Sequence, residues 1–247
     1  MSVEIRIFGL EGIPEIESGD DLATRLVDAA ERLGGLEVGD VVVVAQKVVS
    51  KAEGRIVRLA DIVPSPQAIE LAADRDPRHV QVILDETARI VRARPPLLIS
   101  ETRHGFVCAS AGVDASNAKG AGTLILLPLD PDESAAAIRE SLHERTGVEV
   151  GVVVSDSFGR AWRRGTTGVA LGVAGVTAVL DLNGRRDEAG YELHGTEIAI
   201  ADELAAAAEL VLGKLERVPA AVIRGVAAAG DGSGRELVIP AERDLFR

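Results

Sequence analysis

Aromatic side chains are almost missing from this sequence. Phe, Trp and Tyr make up 2% of its 247 residues, so aliphatic Val, Leu, Ile and Ala must fill any core. A single cysteine, Cys108, excludes an internal disulfide, and no CxxC or Cys/His zinc spacing occurs. Its neighbours Phe106, Val107 and Ala109 are apolar, which reads as a buried, inert thiol. No apolar run reaches the ~20 residues of a membrane span. The start of the chain, Met1 to Ile7, has neither the basic nor the apolar region of a leader. These absences predict a soluble, cytoplasmic protein. Basic charge is also short: 27 Lys and Arg against 39 Asp and Glu leave a formal net charge of −12. That argues against nonspecific nucleic-acid binding, which needs a basic surface. Any phosphate-bearing ligand must then find a local basic patch or a bound cation. There is no fixed-period repeat, no low-complexity linker and no G-x-x-x-x-G-K-[ST] loop. Gly230-Asp231-Gly232-Ser233-Gly234 begins like a dinucleotide loop, but its third glycine falls one place early, and it reads as a turn.

What is present is 47% hydrophobic, in a chain long enough to bury a real core. Short strands are predicted at Ile5–Phe8, Val41–Ala45, Leu97–Ser100, Phe106–Ala109, Leu124–Leu127, Val148–Val154 and Ala220–Ile223. The β-branched run Val41-Val42-Val43-Val44 suits a strand covered on both faces. Helical spacing runs from Leu22 to Leu33, over 67–73, over 77–91 behind Asp76-Pro77, and over 196–211. Asp130-Pro131-Asp132-Glu133 opens another helix, with Asp130 as its cap and Gly147 as its stop. Val169–Val179 is readable as strand or as close-packed helix. The mixture predicts an α+β fold of mixed sheets and flanking helices, without a Rossmann or P-loop core. Residues 1–247 are expected to form one domain, with no subdomain boundary legible.

Three polar clusters fall at predicted strand ends: Gln46 to Lys51, Asp114 to Asn117, and Asp156 to Arg164. The last, Ser155-Asp156-Ser157-Phe158-Gly159-Arg160-Ala161-Trp162-Arg163-Arg164, follows an apolar strand. A carboxylate and a hydroxyl there can gather a divalent cation, which needs hard oxygen ligands, and the arginines offer forked donors to phosphate. A solvated, charged turn fits that stretch alone equally well. Asp114 and Asn117 could likewise form a plain Asx turn, and Lys47 and Lys51 could be exposed strand-end lysines. Converged, the three clusters supply two carboxylates, an amide, hydroxyls, lysines and arginines. That inventory suits metal-assisted phosphoryl transfer, where catalysis is mostly positioning and charge neutralisation. Asp114 and Asp156 would hold magnesium or manganese, with Ser157 as a further ligand and Lys51 facing phosphate. His104, beside Arg103 in a turn, can touch an anionic ligand or simply face solvent.

Longer segments carry a family resemblance. They are Gly12-Ile13-Pro14-Glu15-Ile16 with Gly19-Asp20-Asp21-Leu22, then Lys47-Val48-Val49-Ser50-Lys51-Ala52-Glu53-Gly54-Arg55, and Glu101-Thr102-Arg103-His104-Gly105. Ala111-Gly112-Val113-Asp114-Ala115-Ser116-Asn117, Ser155 to Arg163, and Thr196 with Ala201 to Val211 complete the set. In this order, from near the N-terminus to about Gly225, the chain resembles the coenzyme F420-0:γ-glutamyl ligase family, including the ligase half of the two-domain mycobacterial enzyme. The resemblance implies an intertwined homodimer of mixed α/β architecture. It implies a GTP-dependent ligase that adds L-glutamate to F420-0 through an acyl phosphate, giving a glutamate or polyglutamate tail. Divalent metal (manganese or magnesium) and potassium are implied as cofactors.

By position, Ile13, Pro14, Glu15 and Ile16 would line the GTP site largely through backbone. Gln46, Lys51 and Asn117 would contact the nucleotide, and Asp114, Asp156 and Ser157 would hold metal. Arg160, Arg163 and His104 are candidates for phosphate or substrate. Many relatives carry Ser or Thr near Gln46. Archaeal relatives carry a glutamine metal ligand after the last long helix, where this chain reads Gly213-Lys214-Leu215-Glu216, and a charged lysine cannot ligate a cation. The flavin-reductase-like domain of the mycobacterial enzyme has no counterpart here, so ligase activity alone is expected. Other classes open to the sequence are a nucleotide- or deazaflavin-binding protein without turnover, and a ligase acting on another carboxylate.

Overall fold

The structure is a computed structural model that describes residues 4–245. Residues 1–3, part of the stretch read above as lacking a leader, lie outside them. Strand β1 (Arg6–Gly9) leads through a loop to helix α1 (Leu22–Glu31), where the Asp21 carboxylate caps by accepting from the Thr24 N–H. Strand β2 (Val41–Ala45) runs directly into helix α2 (Gln46–Ala52). Next come β3 (Ile56–Arg58), α3 (Pro66–Ala72), α4 (Pro77–Asp85), β4 (Thr87–Arg94), β5 (Leu97–Thr102), β6 (Val107–Ala109) and β7 (Thr123–Ile125). Helix α5 (Pro131–Thr146) is capped by Asp130, which accepts from the backbone of Asp132 and Glu133, and ends on Gly147 at a left-handed φ of 70°. A long hairpin, β8 (Gly151–Arg160) and β9 (Arg163–Ala174), precedes the short pair β10 (Leu180–Asp181) and β11 (Glu197–Ile198). Helix α6 (Ile200–Leu212) and β12 (Ala220–Arg224) follow.

The main sheet has the order β1-β12-β2-β8-β9, with β2 and β8 parallel and the other neighbours antiparallel. Successive strand residues point to opposite faces. Val42, Val44, Val152, Val154 and Val222 therefore pack with Leu26 and Ala30 of α1 and Ala135 and Leu142 of α5. Val41, Val43, Val153, Val173 and Ile223 pack on the other side against Ala201, Leu204, Ala205 and Ala208 of α6. Helices on both faces are what an uninterrupted β-branched run needs. Close approach of α5 depends on Gly172, where a Cβ would lie 1.9 Å from the Pro131 carbonyl oxygen. A bulge in the β8–β9 ladder opposite Val154 and Ser155 changes which side chains face each layer beyond it. The sheet β4-β5-β6 and the pair β3-β7 enclose a separate core with α3 and α4, built on Ala68, Val80, Ile83, Leu98 and Leu124. The α+β expectation is met.

Several boundaries differ from the sequence expectation. Helix 77–91 stops at Asp85, and Thr87–Arg94 pairs as a strand with β5, an alternative that local spacing cannot show. Gln46–Lys51 is helical rather than a strand end. Asp156 and Ser157 sit within β8, which continues to Arg160 because β9 pairs along its length. Val169–Val179 resolves into the end of β9 and a loop, and residues 197–198 are taken by β11 before α6 begins. The 230–234 glycines are a packing device: a Cβ on Gly230 would lie 2.3 Å from Thr177 Oγ1, and one on Gly234 2.1 Å from the Leu171 carbonyl. Among the described residues, no helix is long and apolar enough to cross a membrane.

Candidate active site

The carboxyl ends of the parallel pair β2 and β8 open into a cavity of about 710 Å³, within the ~300–1,000 Å³ typical of small-molecule sites. Four segments wall it: the loop Ile13–Ile16 after β1, the junction Ala45–Lys51, the turn Asn117–Lys119, and Ser155–Ser157 of β8. The end of α6 and the loop to β12 close it with Glu209, Lys214 and Arg217. Five basic side chains (Lys47, Lys51, Lys119, Lys214, Arg217) meet three acidic ones (Glu15, Asp156, Glu209) there, although the whole chain carries −12. The cavity is thus locally basic, as an anionic ligand requires.

Three of the lysines are held by partners. Lys51, only 6% exposed, places Nζ 2.5 Å from Glu15 Oε1. Burial of its stem fixes the ammonium at the cavity wall, unlike an exposed strand-end lysine. Lys47 Nζ lies 2.6 Å from Asp114 Oδ2, and Lys119 pairs with Glu17 at 2.5 Å. Gln46 is 1% exposed, and its Oε1 accepts from Ser50 Oγ at 2.9 Å. Asn117 has a left-handed φ of 59°, a conformation asparagine tolerates better than most side chains.

Asp156 and Asp114 differ electrostatically. Burial pushes the Asp156 carboxyl up to about 6, and the nearby Asp114 charge adds to this; Lys47, Lys214 and the Ser157 N–H act against it. No lysine or arginine forms an ion pair with Asp156 among the described residues. Burial would raise Asp114 too, but hydrogen bonds from Lys47 and Ser116 hold it below the usual carboxylate range. Ser157 Oγ donates to Glu209 Oε1 at 2.8 Å. Cys108 is buried, and its thiol is pushed up to about 12 by burial and then by the Asp156 charge, so it stays a thiol at neutral pH.

Ile13, Pro14, Glu15, Ile16, Gln46, Lys51, Asn117, Asp156 and Ser157 thus come together around one cavity, with Asp114 behind Lys47. Arg160, Arg163 and His104 do not line it. The two arginines lie at the exposed tip of the β8–β9 hairpin, and His104 Nε2 is 3.0 Å from the Leu129 carbonyl while its ring stacks on Phe106. Sequence reasoning missed Glu209, Lys119 and Arg217 as pocket residues. A basic pair, Lys214 and Arg217, in a loop of an acidic chain was the one available signal.

A cation would need oxygen donors here. Among the described residues, no three His, Cys, Asp or Glu side chains converge closely enough to hold a metal alone. Asp156, with Ser157 beside it and Asp114 nearby, does fit an ion that takes its remaining ligands from phosphate oxygens and water, as magnesium commonly does.

The family model for F420-0:gamma-glutamyl ligase matches residues 12–225. The chain is 46% identical to "Coenzyme F420:L-glutamate ligase" of Methanothermobacter thermautotrophicus, over 98% of this chain and 99% of that protein. It is 44% identical to proteins of the same name from Methanocaldococcus jannaschii, over 99% of this chain and 97% of the relative, and from Archaeoglobus fulgidus, with the same coverage. A match of this extent in one family model, with whole-length relatives, places the chain in the F420-0:gamma-glutamyl ligase family.

Proposed function

We propose that this protein joins L-glutamate to F420-0 at the expense of GTP, through an acyl phosphate on the F420-0 terminal carboxylate. The observation that carries this reading is a locally basic cavity with a buried carboxylate, Asp156, on a strongly acidic chain of this ligase family. An amide does not form from a carboxylate and an ammonium in water without activation. Transfer of the γ-phosphoryl group forms a carboxylate O–P bond and breaks the bond to GDP. The glutamate amine then attacks the acyl carbon, forming C–N and breaking C–O, with phosphate leaving and the amine losing a proton.

In this reading, apolar Ile13, Pro14 and Ile16 take one face of the nucleotide, and Gln46 and Asn117 offer amide donors and acceptors. Lys51, pinned against Glu15, presents a point charge to phosphate, with Lys119, Lys214 and Arg217 around the same space. Asp114, Asp156 and Ser157 would hold magnesium or manganese. When bound, such an ion would neutralise charge between phosphate oxygens and the incoming carboxylate. Mass spectrometry of the product tests the proposal. Purified protein with GTP, manganese, L-glutamate and F420-0 should yield F420-0 plus one or more glutamyl units. Unchanged F420-0, or a product formed without GTP, would overturn it.

A further inference from the structure

Lys47 has no role in the reading above, yet its ammonium is fully engaged. The side chain is 14% exposed. Nζ donates to Asp114 Oδ2 at 2.6 Å and to Ser116 Oγ at 2.6 Å, and approaches the Ser116 carbonyl at 3.4 Å. An ammonium has three donors, so each has an acceptor without any ligand. Asp114 is nearly as occupied: Oδ1 accepts from the Ser116 N–H at 2.6 Å, and Oδ2, its two lone pairs filled, accepts from Ser116 Oγ at 2.9 Å as well as from Lys47. The carboxylate assigned to a cation is therefore closed by a positive charge of the chain itself.

An ammonium on Oδ2 opposes a divalent ion on the same carboxylate, because it fills a lone pair the ion could use and repels it. Lys47 also lines the cavity, so an ammonium released from Asp114 has space beside it. Its four-carbon stem lets the charge swing without backbone movement. Phosphate oxygens in that cavity would be its next acceptor.

We propose that Lys47 is a displaceable counter-ion, which closes Asp114 in the ligand-free protein and moves to nucleotide phosphate when a divalent cation takes Asp114. The inference rests on the reading of Asp114 as a metal ligand. It makes cation and nucleotide binding cooperative, because each removes an obstacle to the other, and the coupling is reciprocal.

The test is binding of Mn²⁺ alone to the full chain, followed by electron paramagnetic resonance. Lys47→Met, and Lys47→Gln as the variant that keeps hydrogen bonding, should each bind Mn²⁺ at least tenfold more tightly than wild type without nucleotide. Affinity for a non-hydrolysable GTP analogue should be nearly unchanged by either substitution in EDTA, yet fall at least tenfold with Mn²⁺ present. A purely structural lysine would not split in this way. If Lys47→Met fails to fold, Lys47→Gln decides. Unchanged or weaker Mn²⁺ binding in the folded variant overturns the counter-ion role and leaves the ligase reading standing. Wild type that binds no Mn²⁺ even with the analogue overturns both this role and the metal assignment beneath it.

Discussion

Asp156→Asn keeps the shape of a cavity-lining side chain and removes its charge. Burial raises the wild-type carboxyl from 3.8 to about 6, so the folded protein binds a proton that the unfolded chain releases in that interval. The contribution of Asp156 to the stability of the metal-free wild type then falls as pH rises from about 4 to about 6, and levels off above. The span corresponds to ~3 kcal/mol, and access of water through the open cavity should trim it to ~2 kcal/mol. Asparagine has no such proton. The variant should match wild type at pH 4 and exceed it by ~2 kcal/mol at pH 7.5, which is ~4–8 °C in melting temperature for a chain this long. Thermal melts by circular dichroism in EDTA, at half-unit pH steps, read this directly. With Mn²⁺ and a GTP analogue the order should reverse, because only wild type gains the full linkage stabilisation. Turnover should fall by orders of magnitude. A stability difference independent of pH would refute the burial argument, and wild-type-like manganese dependence of turnover would refute the metal argument.

Lys51→Ala should lower affinity for the GTP analogue at least tenfold by calorimetry and barely move the melting temperature, because its partner Glu15 is 42% exposed at the side chain and resolvates; unchanged affinity would reject Lys51 as a phosphate contact. Arg224→Met should cost ~3–5 kcal/mol in urea unfolding, since Asp40, 1% exposed, accepts from Arg224 Nε and Nη2 at 2.8 Å each; a loss under ~1 kcal/mol would mean the pair is dispensable. Sedimentation should give a particle of twice the 25.8 kDa chain mass, as the homodimer implied by the family resemblance requires, and an active monomer at micromolar concentration would count against it.

The parts of the fold legible in the sequence are those whose cause is local. Val41–Val44 announces a strand covered on both sides because four β-branched residues in a row have no polar face to expose. Asp130 announces α5 because its side chain satisfies N–H groups two and three residues ahead. Where the cause is distant, the reading fails. Thr87–Arg94 carries enough helical spacing to extend α4, and only pairing with β5 makes it a strand. Gln46–Ala52 contains two valines that disfavour a helix, and packing of Val49 in the main core overrides them. The hairpin β8–β9 carries Asp156 past the point where its apolar run ends, because β9 supplies a hydrogen-bonding partner as far as Arg163.

The site follows the same division, and that division says what its residues do. Each cluster was visible as polar residues crowded beside an apolar run, but the pairings between clusters were not. Lys47 meets Asp114, Lys51 meets Glu15, and Ser157 meets Glu209 only after the sheet and α6 have packed. Of these, the Lys47–Asp114 pair joins a cation to a carboxylate that the ligase reading assigns to metal, so in that reading it must be exchanged rather than simply filled when substrates enter. Asp156 stands apart, with no side-chain cation bonded to it among the described residues and its charge opposed by burial. If Asp114 and Asp156 hold metal as proposed, pairing Asp114 with a lysine while leaving its buried neighbour unpaired sets the order of events: a cation is attracted first to Asp156, and Asp114 joins as Lys47 is given phosphate in exchange.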